Sequence, residues 1–115
     1  MSPSPPELLR HILDEIDYLL AQSQQVSREG FLRDPTLRRA FVRSLEIIGE
    51  ATKMVPDELR AARPDVPWAG MAGMRDRLIH HYFGVDYELV WDVVTTNLAP
   101  LQVQLQEVVD SVDEA

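Results

Sequence analysis

The stretch RDRLIHHY, from Arg75 to Tyr82, concentrates side chains that can carry out acid–base and phosphate chemistry. Histidine titrates near neutral pH and can transfer a proton. Arginine binds a phosphate through two parallel hydrogen bonds and stabilises added negative charge. A neighbouring carboxylate, here Asp76, can fix the tautomer of a histidine. Such a set could cleave RNA without a metal ion, with the ribose 2′-hydroxyl as the internal nucleophile.

Helical geometry separates these side chains. At 100° per residue, Asp76 and His80 are neighbours on the polar face of a helix, whereas Arg75 and His80 lie about 140° apart. They converge only if the helix distorts, if a ligand spans the helix edge or if a second subunit completes the site. One apolar stripe is better explained by core packing than by chemistry; it comprises Trp68, Met71, Met74, Leu78 and Tyr82.

A simpler interpretation of the motif competes with catalysis. Arginine, histidine and tyrosine near a helix end are more often salt-bridged surface groups. His80 and His81 are adjacent, so they point in different directions, and we expect no metal site there.

The elements that must position these residues all have helical periodicity. We predict an all-α bundle of four main helices plus a short one, forming a single domain over 1–115. Helices are expected over about 5–23, 35–54 and 68–82, with a short turn in DELRAA. A last helix, capped by Asp86, should be kinked near Pro100. Gly49 suggests close approach of another helix, and Gly84 a helix end.

Composition restricts the cellular context. The net charge is −8, there is no cysteine, and neither a signal peptide nor a membrane span is evident, so we expect a cytoplasmic protein.

The charges are unevenly distributed along the chain. Residues 83–115 contain seven acidic and no basic residues, which gives −7, while five arginines fall between Arg28 and Arg43. This balance argues against broad nonspecific nucleic-acid binding but is compatible with a local anion site.

The motif and its flanks resemble one family closely. RDRLIHHY matches the R-x4-H-x-Y signature of HEPN proteins, with Asp76 at the position that is usually Asn or Asp. The longer run from Leu45 to Val94 is similar to the HepT-like branch, including its EA, ELR, PW, GMR and VW elements in order. His81 departs from the pattern, and no role is assigned to it.

The resemblance implies a HEPN-type helical bundle as the fold and a ribonuclease toxin as the function. HepT-like proteins are the toxin halves of toxin–antitoxin pairs whose antitoxin is a minimal nucleotidyltransferase, MNT. They are metal-independent, cofactor-free ribonucleases that dimerise and bring two motifs to one cleft, with tRNA or mRNA as candidate substrates. Carried over, Arg75 would bind the scissile phosphate, His80 would act as acid or base, and Asp76 would support them. Tyr82 would be the tyrosine that MNT modifies with AMP.

A second interpretation belongs to another class. The chain could be a non-catalytic helical module that binds, or is modified by, a nucleotidyltransferase. The complete motif favours the ribonuclease, and the low overall basicity favours the module.

Overall fold

The computed structural model describes residues 3–78 and 84–114, apart from the side chain of Glu114. These residues form eight α-helical segments and one π-helical segment, and no β-strand. The predicted all-α class is therefore confirmed. In chain order the α-helices are α1 (Pro5–Ser23), α2 (Arg28–Arg33), α3 (Pro35–Lys53), α4 (Asp57–Ala62), α5 (Trp68–Ala72), α6 (Met74–Leu78), α7 (Tyr87–Asp92) and α8 (Leu98–Glu114).

Local sequence signals explain where the two longest helices begin. Ser4 and Glu7 form a reciprocal capping box before α1, and Pro5 occupies its first turn. Asp34 accepts hydrogen bonds from the backbone N–H groups of Thr36 and Leu37 at 3.0 and 3.1 Å, which caps α3. The predicted limits of both helices are confirmed to within a residue or so.

The core lies where α1, α3 and α8 meet, with α5 and α6 packed on α3. Apolar residues at helical spacing fill it, and the rings of Phe41 and Trp91 lie 4.7 and 5.3 Å from that of Phe31. Gly49 explains how close α5 comes to α3: a Cβ there would lie 3.3 Å from the Met71 carbonyl oxygen and 3.5 Å from that of Ala72. The predicted close approach at Gly49 is confirmed.

The last predicted helix is interrupted, and the interruption lies just before the expected position. A π-helical segment, Val93–Asn97, separates α7 from α8. Pro100 has no N–H to donate to the carbonyl of Thr96, and its ring crowds that carbonyl, so regular α-helical bonding cannot continue through this turn. Asp86 accepts a hydrogen bond from the Leu89 N–H at 3.1 Å and caps α7 as predicted.

The prediction of one uninterrupted helix beginning at Trp68 was wrong. Gly73 separates α5 from α6, and its backbone, at φ −88° and ψ 7°, departs from helical values. The lowest helix propensity among residues other than proline belongs to glycine, so a break at this position costs little. The predicted end of the helix, near Tyr82, lies outside the described residues.

No helix within 3–78 or 84–114 combines the length and the apolar character that a membrane crossing requires.

Candidate active site

The helix α6, which carries Arg75, is fixed by its buried face. Met74 and Leu78 are buried on α6, and Trp68 and Met71 are buried on α5. These four residues confirm the core-packing interpretation of the apolar stripe; its fifth member, Tyr82, lies outside the described residues. The Trp68 indole N–H also donates to the carbonyl of Arg63 at 2.9 Å, which fixes the start of α5. Packing thus orients α6 without using its polar side.

Arg75 lies on the polar side of α6, where solvent or a ligand can reach its guanidinium. Its side chain is 53% exposed. Its Nε lies 3.7 Å from Glu46 Oε2, and its Nη1 lies 3.9 Å from Asp76 Oδ1. Both distances exceed those of hydrogen bonds, so the two carboxylates hold the guanidinium nearby without saturating its donors. A phosphate could therefore displace them and accept the paired hydrogen bonds.

Asp76, the predicted supporting residue, is 84% exposed and follows Arg75 directly in α6. Glu46 was not predicted as part of the site. The periodicity of α3 places Glu46 on that helix's outward side, but the sequence alone does not show that α6 packs beside it.

His80 and Tyr82, together with His81, lie outside the described residues. Their proximity to Arg75 therefore stays a prediction. Leu78 and Asp86, which lie on either side of residues 79–83, are connected by a hydrogen bond: the Asp86 N–H donates to the carbonyl of Leu78 at 2.9 Å. Gly84 has a φ of +86°, a left-handed backbone value that glycine adopts more readily than other residues.

Arg77 belongs to the opposite side of α6. It lines a groove of about 350 Å³ between α5, α6, the π-helical segment and α8. Asn97 and Gln104 contribute amides to the rim, and Met71 and Met74 contribute apolar surface. Nothing in the sequence motif indicated this groove, because it depends on how α8 returns to α5.

An ion-pair cluster fixes the loop that enters α5. Arg63 donates to both carboxylate oxygens of Asp65, at 2.9 and 2.8 Å, and to Glu107 of α8 at 3.3 Å. The hydrogen bonds from Arg63 lower the pKa of Asp65 from 3.8 to about 2. The same carboxylates raise the pKa of Arg63 above its ordinary value. This cluster holds the α4–α5 loop against α8 and leaves the Arg75 side of α6 uninvolved.

Within the described part of the chain, no group of three or more histidine, aspartate or glutamate side chains is placed to hold a metal ion.

Comparison with known proteins identifies the family. Residues 11–108 match the family model described as "Ribonuclease HepT-like". A protein of Caldanaerobacter subterraneus subsp. tengcongensis, named a "Putative RNase", is 48% identical over 91% of this chain and 94% of its own length. The "Probable ribonuclease HepT" of Thermococcus cleftensis is 38% identical over 89% and 93% of the two chains.

A "Putative RNase" of Methanocaldococcus jannaschii is 37% identical over 93% of this chain and 85% of its own length. No solved structure gave a significant match. The family model and these relatives cover the whole motif-bearing region, and the chain belongs to the HepT-like ribonuclease family.

Proposed function

We propose that the chain is a ribonuclease toxin that cleaves RNA at a site shared by two copies of the chain. One observation carries this proposal: the region matched by the family, residues 11–108, contains a complete R-x4-H-x-Y motif. The side chain of its arginine, Arg75, is 53% exposed, and its ion pairs with the described residues are no shorter than 3.7 Å. The names of the relatives, which describe ribonucleases, support the same activity.

The chemistry would be an internal transesterification. A base removes the proton of the ribose 2′-hydroxyl, whose oxygen forms a bond to the adjacent phosphorus. The bond between that phosphorus and the 5′-oxygen of the next nucleotide breaks, and an acid protonates the leaving oxygen. Arg75 would stabilise the extra negative charge on the phosphate, and His80 would serve as the acid or base. Two copies supply two His80 side chains, so both proton transfers have a donor or acceptor.

The toxin would be controlled by covalent modification. A nucleotidyltransferase partner would transfer AMP from ATP to the Tyr82 hydroxyl and release pyrophosphate. Each added AMP brings a phosphate that can pair with Arg75 and occupy the place of the RNA phosphate. Asp76 would support the site by keeping a carboxylate close to Arg75.

Cleavage of RNA by the purified protein, with and without a chelator, tests the activity. We expect cleavage in both conditions and products that end in a cyclic phosphate. His80→Ala should abolish cleavage and growth inhibition while leaving the thermal unfolding midpoint unchanged. Full cleavage by a His80→Ala protein, expressed at wild-type level, would show that His80 is not the acid or base.

Modification is tested by mixing the protein, the proposed nucleotidyltransferase partner and ATP, followed by peptide mass spectrometry. We expect the mass of AMP on the peptide containing Tyr82, and Tyr82→Phe should stay toxic yet escape neutralisation. Tyr18, which is 37% exposed on α1, provides the control, because Tyr18→Phe should be modified and neutralised normally. Neutralisation without any modification would mean that the partner only covers the site.

The second candidate function is a non-catalytic module recognised by the nucleotidyltransferase. It is favoured by the net charge of −8 and by the two carboxylates, Glu46 and Asp76, nearest to Arg75. A purified wild-type protein that is modified at Tyr82 but never cleaves RNA would support this function over the ribonuclease.

A further inference from the structure

The outward side of α3 carries five charged residues, and four of them follow one another in a regular order: Arg39, Arg43, Glu46 and Glu50. Their spacing of four, three and four residues places them in one stripe about 60° wide on the helix. We call these four residues the charged stripe. The fifth, Lys53, is the last residue of the helix and pairs with Glu50. Arg39, Arg43 and Glu50 are exposed, and Glu46 is half-buried.

The two halves of the charged stripe have opposite signs. Arg39 and Arg43 form the N-terminal half, and no ion pair joins either of them to another residue of the described ranges. Glu46 and Glu50 form the C-terminal half, and their contacts to Arg75 and Lys53, at 3.7 and 3.3 Å, are with exposed cations. The pattern is therefore complementary to itself in the reversed direction.

A second α3 running antiparallel across a two-fold axis satisfies this pattern. With the axis level with Ser44 and Leu45, Arg39 lies opposite Glu50 of the partner subunit, and Arg43 lies opposite Glu46 of the partner subunit. The two-fold axis repeats each pair, because an isologous interface uses the same patch on both subunits. All four charged residues obtain an oppositely charged neighbour in this one register.

We propose that the charged stripe is the surface through which two copies of this chain pair, with their α3 helices antiparallel in this register. The proposal rests on the dimer of the proposed function and adds its face and register.

The two flanks of the stripe support a second copy as the occupant. Ile47 and Met54 flank one side, and Met54 is 51% exposed, so pairing would cover apolar surface. Arg75 flanks the other side through Glu46. A two-fold axis beside Glu46 would therefore bring the Arg75 side chains of both copies to the same side of the interface, where each copy contributes to the other's site.

RNA fits the charged stripe less well than a second copy does. Phosphates would be attracted by Arg39 and Arg43 but repelled by Glu46 and Glu50, which occupy half of the stripe. A partner with both signs in reversed order is required, and the chain itself provides that partner.

The register can be tested by reversing single charges, restoring the pairs with a second reversal, and measuring the dimer Kd of each variant by sedimentation. Arg39→Glu alone, or Glu50→Arg alone, opposes like charges twice per dimer and should raise the dimer Kd by at least about tenfold. The double variant, carrying both substitutions in one chain, recreates both pairs with reversed signs and should restore the Kd to within about threefold. Arg33→Glu, an exposed charge reversal on α2 outside the stripe, should leave the Kd unchanged.

Crosslinking gives an independent measurement, because the chain has no cysteine of its own. Arg39→Cys with Glu50→Cys in one chain places thiols about 16 Å apart along α3, too far for a bridge within the chain. Oxidation should therefore produce a covalent dimer. Arg33→Cys with Glu50→Cys should not produce one.

The outcomes separate this proposal from the proposed function. A dimer that tolerates all charge reversals and forms no crosslink would overturn the register and leave the ribonuclease proposal intact. An Arg39→Glu protein that stays dimeric but loses RNA binding would identify the stripe as an RNA surface instead. A wild-type protein that is monomeric at micromolar concentration would remove both the stripe pairing and the shared site.

Discussion

Two regions of the molecule use arginine in opposite ways: the connection that leads from α3 through α4, and the polar side of α6. In the connection, Arg60 donates to the carbonyls of Thr52 and Val55 at 3.0 Å and to that of Lys53 at 3.1 Å. Thr52 and Lys53 lie at the end of α3, where carbonyls lack the N–H donor four residues further on. Arg60 supplies a charged donor there, and the Thr52 carbonyl also accepts from the Val55 N–H at 3.1 Å. Arg63 is likewise occupied by carboxylates.

On α6, the shortest ion-pair distance from Arg75 to any residue of 3–78 or 84–114 is the 3.7 Å to Glu46, and its side chain remains about half exposed. The difference shows how to distinguish structural from functional arginines. A guanidinium whose donors are all used contributes to the fold and has little to offer a ligand. A guanidinium held loosely by exposed carboxylates contributes little to the fold and can bind an anion.

The sharpest test of this contrast is Arg75→Ala. We expect RNA cleavage to fall by at least about 100-fold, because a phosphate-binding donor set is lost, while the free energy of unfolding changes by less than about 0.5 kcal/mol. Cleavage assays and denaturant unfolding on the same preparations measure both. Arg77→Ala, on the opposite side of α6, is the matched control; an equal loss of cleavage there would mean that general positive charge, and not the position of Arg75, matters.

The reverse result is expected for Arg60→Ala. Three carbonyls near the end of α3 lose their charged donor, which should lower the free energy of unfolding by about 2 kcal/mol. Cleavage per folded molecule should be unchanged. Arg60→Lys, which cannot reach three carbonyls at once, should recover only part of the stability. If Arg60→Ala lost cleavage without losing stability, the contrast between the two regions would be wrong.

A substitution at Gly49 tests the packing that holds the two regions together. The branched side chain of Gly49→Val must displace the carbonyls of Met71 and Ala72, which end α5 just before Arg75. We expect a loss of about 1–2 kcal/mol in the free energy of unfolding. Gly49→Ala is the control, because its single methyl contact at 3.3 Å is offset by a helix propensity gain of about 1 kcal/mol. Thermal unfolding of the two variants checks the order.

The same contrast explains what could be predicted from the sequence. Where a helix begins depends on residues close by in the sequence. The starts of α1, α3 and α7 therefore follow from local chemistry, because each is capped by a polar side chain: Ser4, Asp34 and Asp86. The motif also singled out Arg75 and Asp76, which are both exposed on α6; their roles stay predictions. Gly49 did indicate that another helix comes close to α3, but the side-chain contacts that depend on distant packing were missed.

The contact between Glu46 and Arg75 and the three hydrogen bonds of Arg60 are examples of such distant features. They form only when α6 or α4 packs beside α3. The hydrophobic periodicity of a helix does not show which polar side chains come into contact in this way. The break at Gly73 was missed for a different reason. The apolar residues keep helical spacing on both sides of Gly73, so the sequence pattern did not indicate that the backbone departs from helical values there.

The smallest effect is expected from the Arg63–Asp65 pair and concerns pH. The pKa of Asp65 is lowered from 3.8 to about 2 in the folded protein, so the unfolded chain takes up the proton first as the pH falls. The contribution of this carboxylate to stability is therefore complete above about pH 4 and is lost as the pH falls toward 2. Asp65→Asn never has this contribution.

Because other carboxylates titrate in the same range, the informative quantity is the difference in unfolding free energy between the wild type and Asp65→Asn. That difference should shrink as the pH falls from about 4 to about 2, and Arg63→Gln should remove its pH dependence. Cleavage at neutral pH should be unaffected in Asp65→Asn, since the pair lies away from Arg75. A loss of cleavage comparable to that of Arg75→Ala would instead show that the loop before α5 controls the position of α6, and it would end the separation between structural and functional arginines.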